Sequence, residues 1–323
     1  MHNARRRFLT NLGAGLMATP LASWAQQPTK VARLGYLSLA ASIGNGEEAF
    51  LRGMRDLGYV EGRNFSIEWR FAKNNIALLP ELAADLVRLN VEILLAVQSP
   101  SIQALKQATG SIPIVMVGVG DPVATGLITS LARPGGNITG RASVTAELAG
   151  KCLEMTRELF PASKSVAVLI NPNDPFGKTY LEQVQSAGRI LKLALNVFMI
   201  RAETDVEPAF REMTKARNVS VLVQGSLQRK SIHDLAVKHR IAAISSTSSF
   251  ADNGGLLSYS GKLSEMYGGA AYYVDRILKG AKPADLPVAQ PTLFELVINM
   301  KIAKTLGIKV PQSLLARADR LIE

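Results

Sequence analysis

The sequence predicts an α/β protein of two Rossmann-like lobes, each built on a parallel sheet and joined by a hinge. Two observations carry this. Short continuous runs of Val, Ile and Leu alternate with amphipathic helical segments almost from end to end, and buried strands of that kind need helices on both faces of a parallel sheet. The chain is also long enough, at 323 residues, that two sheets of five or six strands bury it better than one sheet of about ten strands.

The elements follow in order. Val31–Leu39 is a strand and 46–57 a helix. Phe65–Phe71 sets Phe, Ile, Trp and Phe against Ser, Glu and Arg, a period of two. Leu79, Leu82, Ala83 and Leu86 put 78–89 on a helix, and 92–97 is a buried strand. Ser99-Pro100-Ser101 predicts a helix with Ser99 as N-cap and Pro100 in the first turn. Residues 112–119 form a strand, 122–131 a helix and 138–144 a strand. The pattern then restarts. Helices are predicted over 146–159, 174–191, 206–216 and 231–239, with strands over 165–170, 194–200, 219–223 and 242–245. The last part gives strand 256–260, helix 265–278, strand 292–298 and helices over 300–306 and 313–318. These runs place one lobe on 31–145 plus 260–323 and the other on 146–259, with crossings near 145 and near 254–261.

The first residues stand apart. Arg5-Arg6-Arg7-Phe8-Leu9 precedes an apolar, small-residue run from Leu12 to Ala22, then Ser23-Trp24-Ala25 and Gln26-Gln27-Pro28. A basic stretch, a short apolar stretch and a small-residue cleavage site make residues 1–25 an expected export signal, twin-arginine-like in its arginine pair followed by Phe-Leu. Export implies a periplasmic protein. The formal net charge of +11 falls to +8 without those three arginines. The remaining Lys and Arg are dispersed, and no nucleic-acid-binding motif stands out, so no nucleic-acid partner is expected.

Several chemistries are excluded by residue types. Cys152 is the single cysteine, so no intrachain disulfide or cysteine pair exists. Beyond the leader only His233 and His239 occur, without a zinc-site spacing, and neither metal nor cofactor is expected. Gly118-Val119-Gly120 lacks the third glycine of a dinucleotide fingerprint, with Val123 in its place. There is no P-loop and no Gly-x-Ser-x-Gly elbow. Glu47-Glu48 is expected on a solvated helix face. The chain is therefore not expected to be an enzyme.

Ligands of open α/β sheets bind beyond the carboxyl ends of the strands. Small polar residues follow the predicted strands there: Ser38, Ser99 and Ser101, Asp121, Asn171 and Asn173, Ser226 and Thr247. Helix N-termini offer free N–H groups to a carboxylate, and Asp121 offers a partner for an ammonium group. Together they suit an amino-acid zwitterion. Each also has a purely structural role open to it, as N-cap or turn former.

The chain resembles a family of ABC-transporter substrate-binding proteins related to the tryptophan/tyrosine-type importers. The resemblance rests on the runs at 56–62 (Asp-Leu-Gly-Tyr-Val-Glu-Gly), 79–87, 112–115 with 121–123, 131–140, 276–288, 290–299 and 311–323. It covers nearly the whole chain after the leader. It implies a type I periplasmic binding fold, no cofactor, a small-molecule ligand, an ABC permease in the inner membrane as partner, and a monomer. Positions matching Ser38, Ser99, Ser101, Asp121 and 171–173 would line the cleft. Many relatives carry Asp-Pro-aromatic after strand 219–223. Here Gly225-Ser226-Leu227-Gln228-Arg229 stands instead, and Arg229 is expected to favour a more acidic ligand. A sensory ligand-binding module and an exported α/β enzyme remain as alternatives.

Overall fold

The computed structural model describes residues 31–323; the expected export signal at 1–25 lies outside them. The described residues form one compact unit built on two sheets.

The first sheet has the order β2-β1-β3-β4-β5 and is parallel throughout. Its elements run β1 (Ala32–Ser38), α1 (Asn45–Asp56), β2 (Phe65–Phe71), α2 (Leu79–Arg88), β3 (Ile93–Val97), α3 (Gln98–Ala108), β4 (Ile114–Gly120) and β5 (Ile138–Ser143). The central strand β3 is buried along its whole length, as a strand covered on both faces must be.

The chain then crosses into the second lobe. There it forms α4 (Thr145–Leu159), β6 (Ser165–Ile170), α5 (Gly177–Ile190), β7 (Ala194–Met199), α6 (Val206–Lys215), β8 (Ser220–Val223), α7 (Lys230–Lys238), β9 (Ala242–Ser245) and β10 (Leu257–Gly261). In α6 the buried residues are Val206, Ala209, Phe210 and Met213. Their i, i+3, i+4, i+7 spacing puts one apolar stripe on the sheet, and each large side chain so buried contributes roughly 1.5–3 kcal/mol.

The C-terminal part corrects the expected division. Helix α8 (Leu263–Leu278) does return to the first lobe, packing on α1, β4 and β5. But β11 (Phe294–Asn299), α9 (Met300–Leu306), α10 (Gln312–Leu315) and β12 (Arg320–Ile322) belong with the second sheet, whose order is β12-β11-β10-β9-β8-β6-β7. Segment 260–323 is thus shared between the lobes. The geometry follows from direction. Strand β10 runs out toward the hinge, and β11 re-enters from the hinge, so the two must pair antiparallel, with Leu257 opposite Ile298. The second sheet is therefore mixed, and three segments cross between the lobes.

Two local expectations also fail. Residues 122–131 form turns, not a helix. Gly126 at φ +69° breaks the run, and Asp121 caps only the Ala124 amide, at 2.9 Å. Ser99 is not an N-cap: α3 starts one residue earlier, and its N-cap position, Val97, offers no side-chain cap. Each sheet carries an apolar cluster on both faces.

Candidate ligand-binding cleft

The carboxyl ends of both sheets face one cavity of about 430 Å³, within the range of small-molecule sites. From the first lobe it is lined by the segments after β1, β3 and β4. From the second it is lined by Asp174, Phe176 and Tyr180 around the start of α5, by Gln224–Ser226 after β8, and by Ser246–Ser249 after β9.

Four of the residues expected at the site lie on this cavity: Ser38, Ser99, Ser226 and Thr247. Ser38 is partly spent, since its hydroxyl accepts the Ala40 amide at 3.2 Å. The Thr247 hydroxyl has no hydrogen-bond partner. The other four are not on its walls. Ser101 is fully buried one turn into α3. Asp121 lines a separate pocket of about 250 Å³ with Glu147, Thr179 and Gln183. Asn171 turns its side chain inward to accept the Asn173 amide at 3.0 Å, and Asn173 donates to the Arg201 carbonyl at 3.4 Å. For Asn171 the turn-forming role is the one the geometry shows, while Asn173 ties that turn to Arg201. Arg229 is also off the walls and pairs with Glu203 at 3.1 Å, so the expected preference for acidic ligands has no contact to rest on.

Two buried charged residues on the cavity wall are not among those expected from the sequence. Asp174 sits on the cavity wall only 7% exposed. Its Oδ1 accepts the Phe176 amide and its Oδ2 accepts Gln224 Nε2, both at 2.9 Å. Gln224 Oε1 in turn accepts the Asn171 amide at 2.8 Å, which locks the amide's orientation. Burial pushes the Asp174 carboxyl above its ordinary pKa, against the lowering effect of Ser226 and the Phe176 amide. Glu47 is the second. It was expected in solvent but is 5% exposed. It reaches back to the Gly44 amide at 3.0 Å and accepts the Tyr36 hydroxyl at 2.6 Å. The signal was its place three residues after the N-cap, where a glutamate folds back on its own helix.

The lobes touch across the cavity. Gln98 Nε2 donates to the Gly225 carbonyl at 3.2 Å, from a left-handed backbone at φ +66°. A non-glycine residue held there marks a position fixed by its surroundings. At the end of β4, Gly120 lies so close to Phe176 that an added Cβ would be 2.3 Å from the ring.

This arrangement, two sheets presenting their carboxyl ends to one shared cavity with three crossings behind it, has known counterparts. The family described as ABC transporter substrate binding protein matches residues 41–322. The chain belongs to this family. Among curated proteins it is similar to a tyrosine-binding protein of Clostridioides difficile, 25% identical over 271 residues, covering 83% of this chain and 78% of that one. Among solved structures it resembles a conserved domain protein from Vibrio cholerae, with TM-score 0.81 and 26% identity over 90% of this chain and all of the other. It also shares its fold with an ABC domain from Streptococcus pneumoniae in complex with L-Trp, at TM-score 0.80 and 23% identity over 91% of this chain and all of that one. The fold is that of type I periplasmic binding proteins.

Proposed function

We propose that this substrate-binding protein serves an ABC importer, capturing a small polar ligand, an amino acid or small carboxylate, and presenting it to a permease in the inner membrane. In this reading the chain is exported to the periplasm, works as a monomer, and contacts ligand through Ser38, Ser99, Ser226 and Thr247. The observation that carries it is the shared cavity. Both lobes line it, and Gln98–Gly225 and Gly120–Phe176 are contacts that exist only when the lobes are together. Ligand binding energy would shift an open–closed equilibrium toward this state. The names of the relatives, a tyrosine-binding protein and an L-Trp complex, support an amino-acid-sized ligand. Neither histidine of the described residues lines the cavity, which gives no support to a Ser-His mechanism.

The test is a thermal-shift screen of the chain begun at Gln26 against amino acids, small organic acids, sugars and polyols. A ligand at a hundred times its dissociation constant adds about 2.7 kcal/mol to stability. A saturable shift is the expected result. Turnover of a compound without any such shift would count for an exported enzyme instead.

A further inference from the structure

The charges on the cavity walls are one-sided. Among the described residues that line it there are three carboxylates, Glu47, Asp174 and Asp252, and no lysine, arginine or histidine. Asp252 is neutralised by Arg320, whose Nη1 and Nη2 donate to its two oxygens at 2.7 and 2.8 Å. The other two carboxylates stand one on each lobe. Neither makes an ion pair among the described residues. All the donors that meet them are neutral: the Tyr36 hydroxyl and Gly44 amide for Glu47, the Phe176 amide and Gln224 side chain for Asp174. Neutral donors stabilise a carboxylate without cancelling its field, and a cleft lined by one sign of charge draws the opposite sign and repels its own.

A second observation points to what sits beside Asp174. Ser226 is only 4% exposed and lines the cavity, yet its hydroxyl has no hydrogen-bond partner. It is near enough to Asp174 to act on its ionisation. A buried hydroxyl and a buried carboxylate side by side on the cavity wall suit a group with several donors and a positive charge. An ammonium group has three donors and no acceptor, so one N–H can go to Asp174 and another to Ser226. On the facing lobe, Gln98 and Ser99 at the start of α3 line the cavity with no side-chain cap, a helix N-terminus of the kind that suits a ligand carboxylate.

We propose that the cleft selects a small amine of zero or positive net charge, with Asp174 as counter-ion to the ammonium and Glu47 as the group that turns away acidic side chains. This rests on the binding-protein reading given above, and it narrows that reading by removing simple carboxylates and acidic amino acids from the ligand class.

The experiment is calorimetric titration of the chain begun at Gln26 with matched probes. L-Tyrosine is paired with 3-(4-hydroxyphenyl)propanoate and L-leucine with 4-methylpentanoate, so that only the amine differs. L-Glutamine is paired with L-glutamate, so that only a charge is added. The expected result is that removing the amine weakens binding about 100-fold, and that glutamate binds at least about tenfold more weakly than glutamine. Asp174→Asn should erase the preference for the amine, and Glu47→Gln should bring glutamate within about threefold of glutamine. The wild-type comparisons stand even where a variant does not fold. A deaminated probe binding as tightly as its parent, or glutamate as tightly as glutamine, overturns the proposal. Binding of sugars or polyols alone overturns it too while leaving the binding-protein reading intact. If no probe, sugar or polyol binds, both fall.

Discussion

Arg141 and Glu265 form a clasp beside the hinge. Arg141 Nη2 donates to Glu265 Oε1 at 2.8 Å, and the same carboxylate accepts the Thr292 amide and hydroxyl at 3.1 and 3.0 Å and the Leu293 amide at 2.9 Å. Arg141 stands on β5, just before the first crossing; Glu265 opens α8, just after the second; Thr292 and Leu293 form the third. One carboxylate thus ties all three crossings together. Burial alone would raise its pKa, but the bonds from Leu293 and Thr292 and the Arg141 charge together hold it below the usual carboxylate range.

Removing Glu265 should therefore be costly. The pair is 11% and 19% exposed, and breaking a largely buried pair from one side costs about 3 kcal/mol or more. Glu265→Ala is expected to lower the urea midpoint clearly, and Glu265→Gln by less, because the amide oxygen still accepts from Thr292 or Leu293. The lowered pKa sets the sign: this stabilisation is full above the unfolded value near 4.3 and is lost as pH falls through the folded one. Equal midpoints for wild type and Glu265→Ala would remove the clasp from the account.

The second prediction concerns closure. With a Cβ at Gly120 placed 2.3 Å from the Phe176 ring, Gly120→Ala should keep both lobes folded but obstruct their approach. Ligand affinity is expected to fall at least tenfold, about 1.4 kcal/mol, with a larger radius of gyration by small-angle scattering in the presence of ligand. Adding Phe176→Ala removes the clash and should recover part of the loss, a coupling that a double-mutant cycle measures. Undiminished affinity in the single variant would mean that the ligand-bound lobes do not meet here.

Gly120 also shows where sequence reasoning reached and where it stopped. Apolar runs and helical stripes such as Val206, Ala209, Phe210 and Met213 reveal their elements because burial imposes a period. The rule that ligands sit past strand ends led to Ser38, Ser99, Ser226 and Thr247, which line the cavity. What it lacked was the direction of each side chain. Asn171 and Asn173 follow a strand as well as Ser226 does, but Asn171 accepts within its own turn and Asn173 donates to the Arg201 carbonyl. Glu47 and Asp174 are harder to read because their burial depends on partners from other elements, Tyr36 for Glu47 and Gln224 for Asp174. The antiparallel return of β11 was hidden for the same reason: a strand's direction depends on where the chain has been.

Cys152 provides a reporter of global unfolding. It is fully buried in the second lobe's core, and burial pushes its thiol up to about 12, against a smaller lowering by a backbone bond at Tyr259. The thiolate is the reactive form. A thiol-specific reagent at pH 8 should therefore modify the native chain only through unfolding, at a rate that follows denaturant stability. Rapid modification without denaturant would show that the α4 region opens locally.

His233 should dominate the stability profile between neutral and mildly acidic pH. Its ring packs 4.7 Å from that of Phe250, and neither ring nitrogen has a partner. Burial lowers its pKa to about 4, only partly opposed by Asp234 and reinforced by Lys230. A depressed base in the native state means that the unfolded chain, with a histidine near 6.5, binds more protons between those two values. Stability must therefore fall as pH drops from about 6.5 toward 4, by up to roughly 3 kcal/mol at one unit per 1.36 kcal/mol. The carboxylates do not imitate this. Glu265 loses its contribution only below the usual carboxylate range, and Asp174, raised by burial, acts in the opposite direction. Urea midpoints at pH 7, 6 and 5 should decline in the wild type and stay nearly level in His233→Leu. A decline of equal slope in that variant would assign the acid sensitivity to another group.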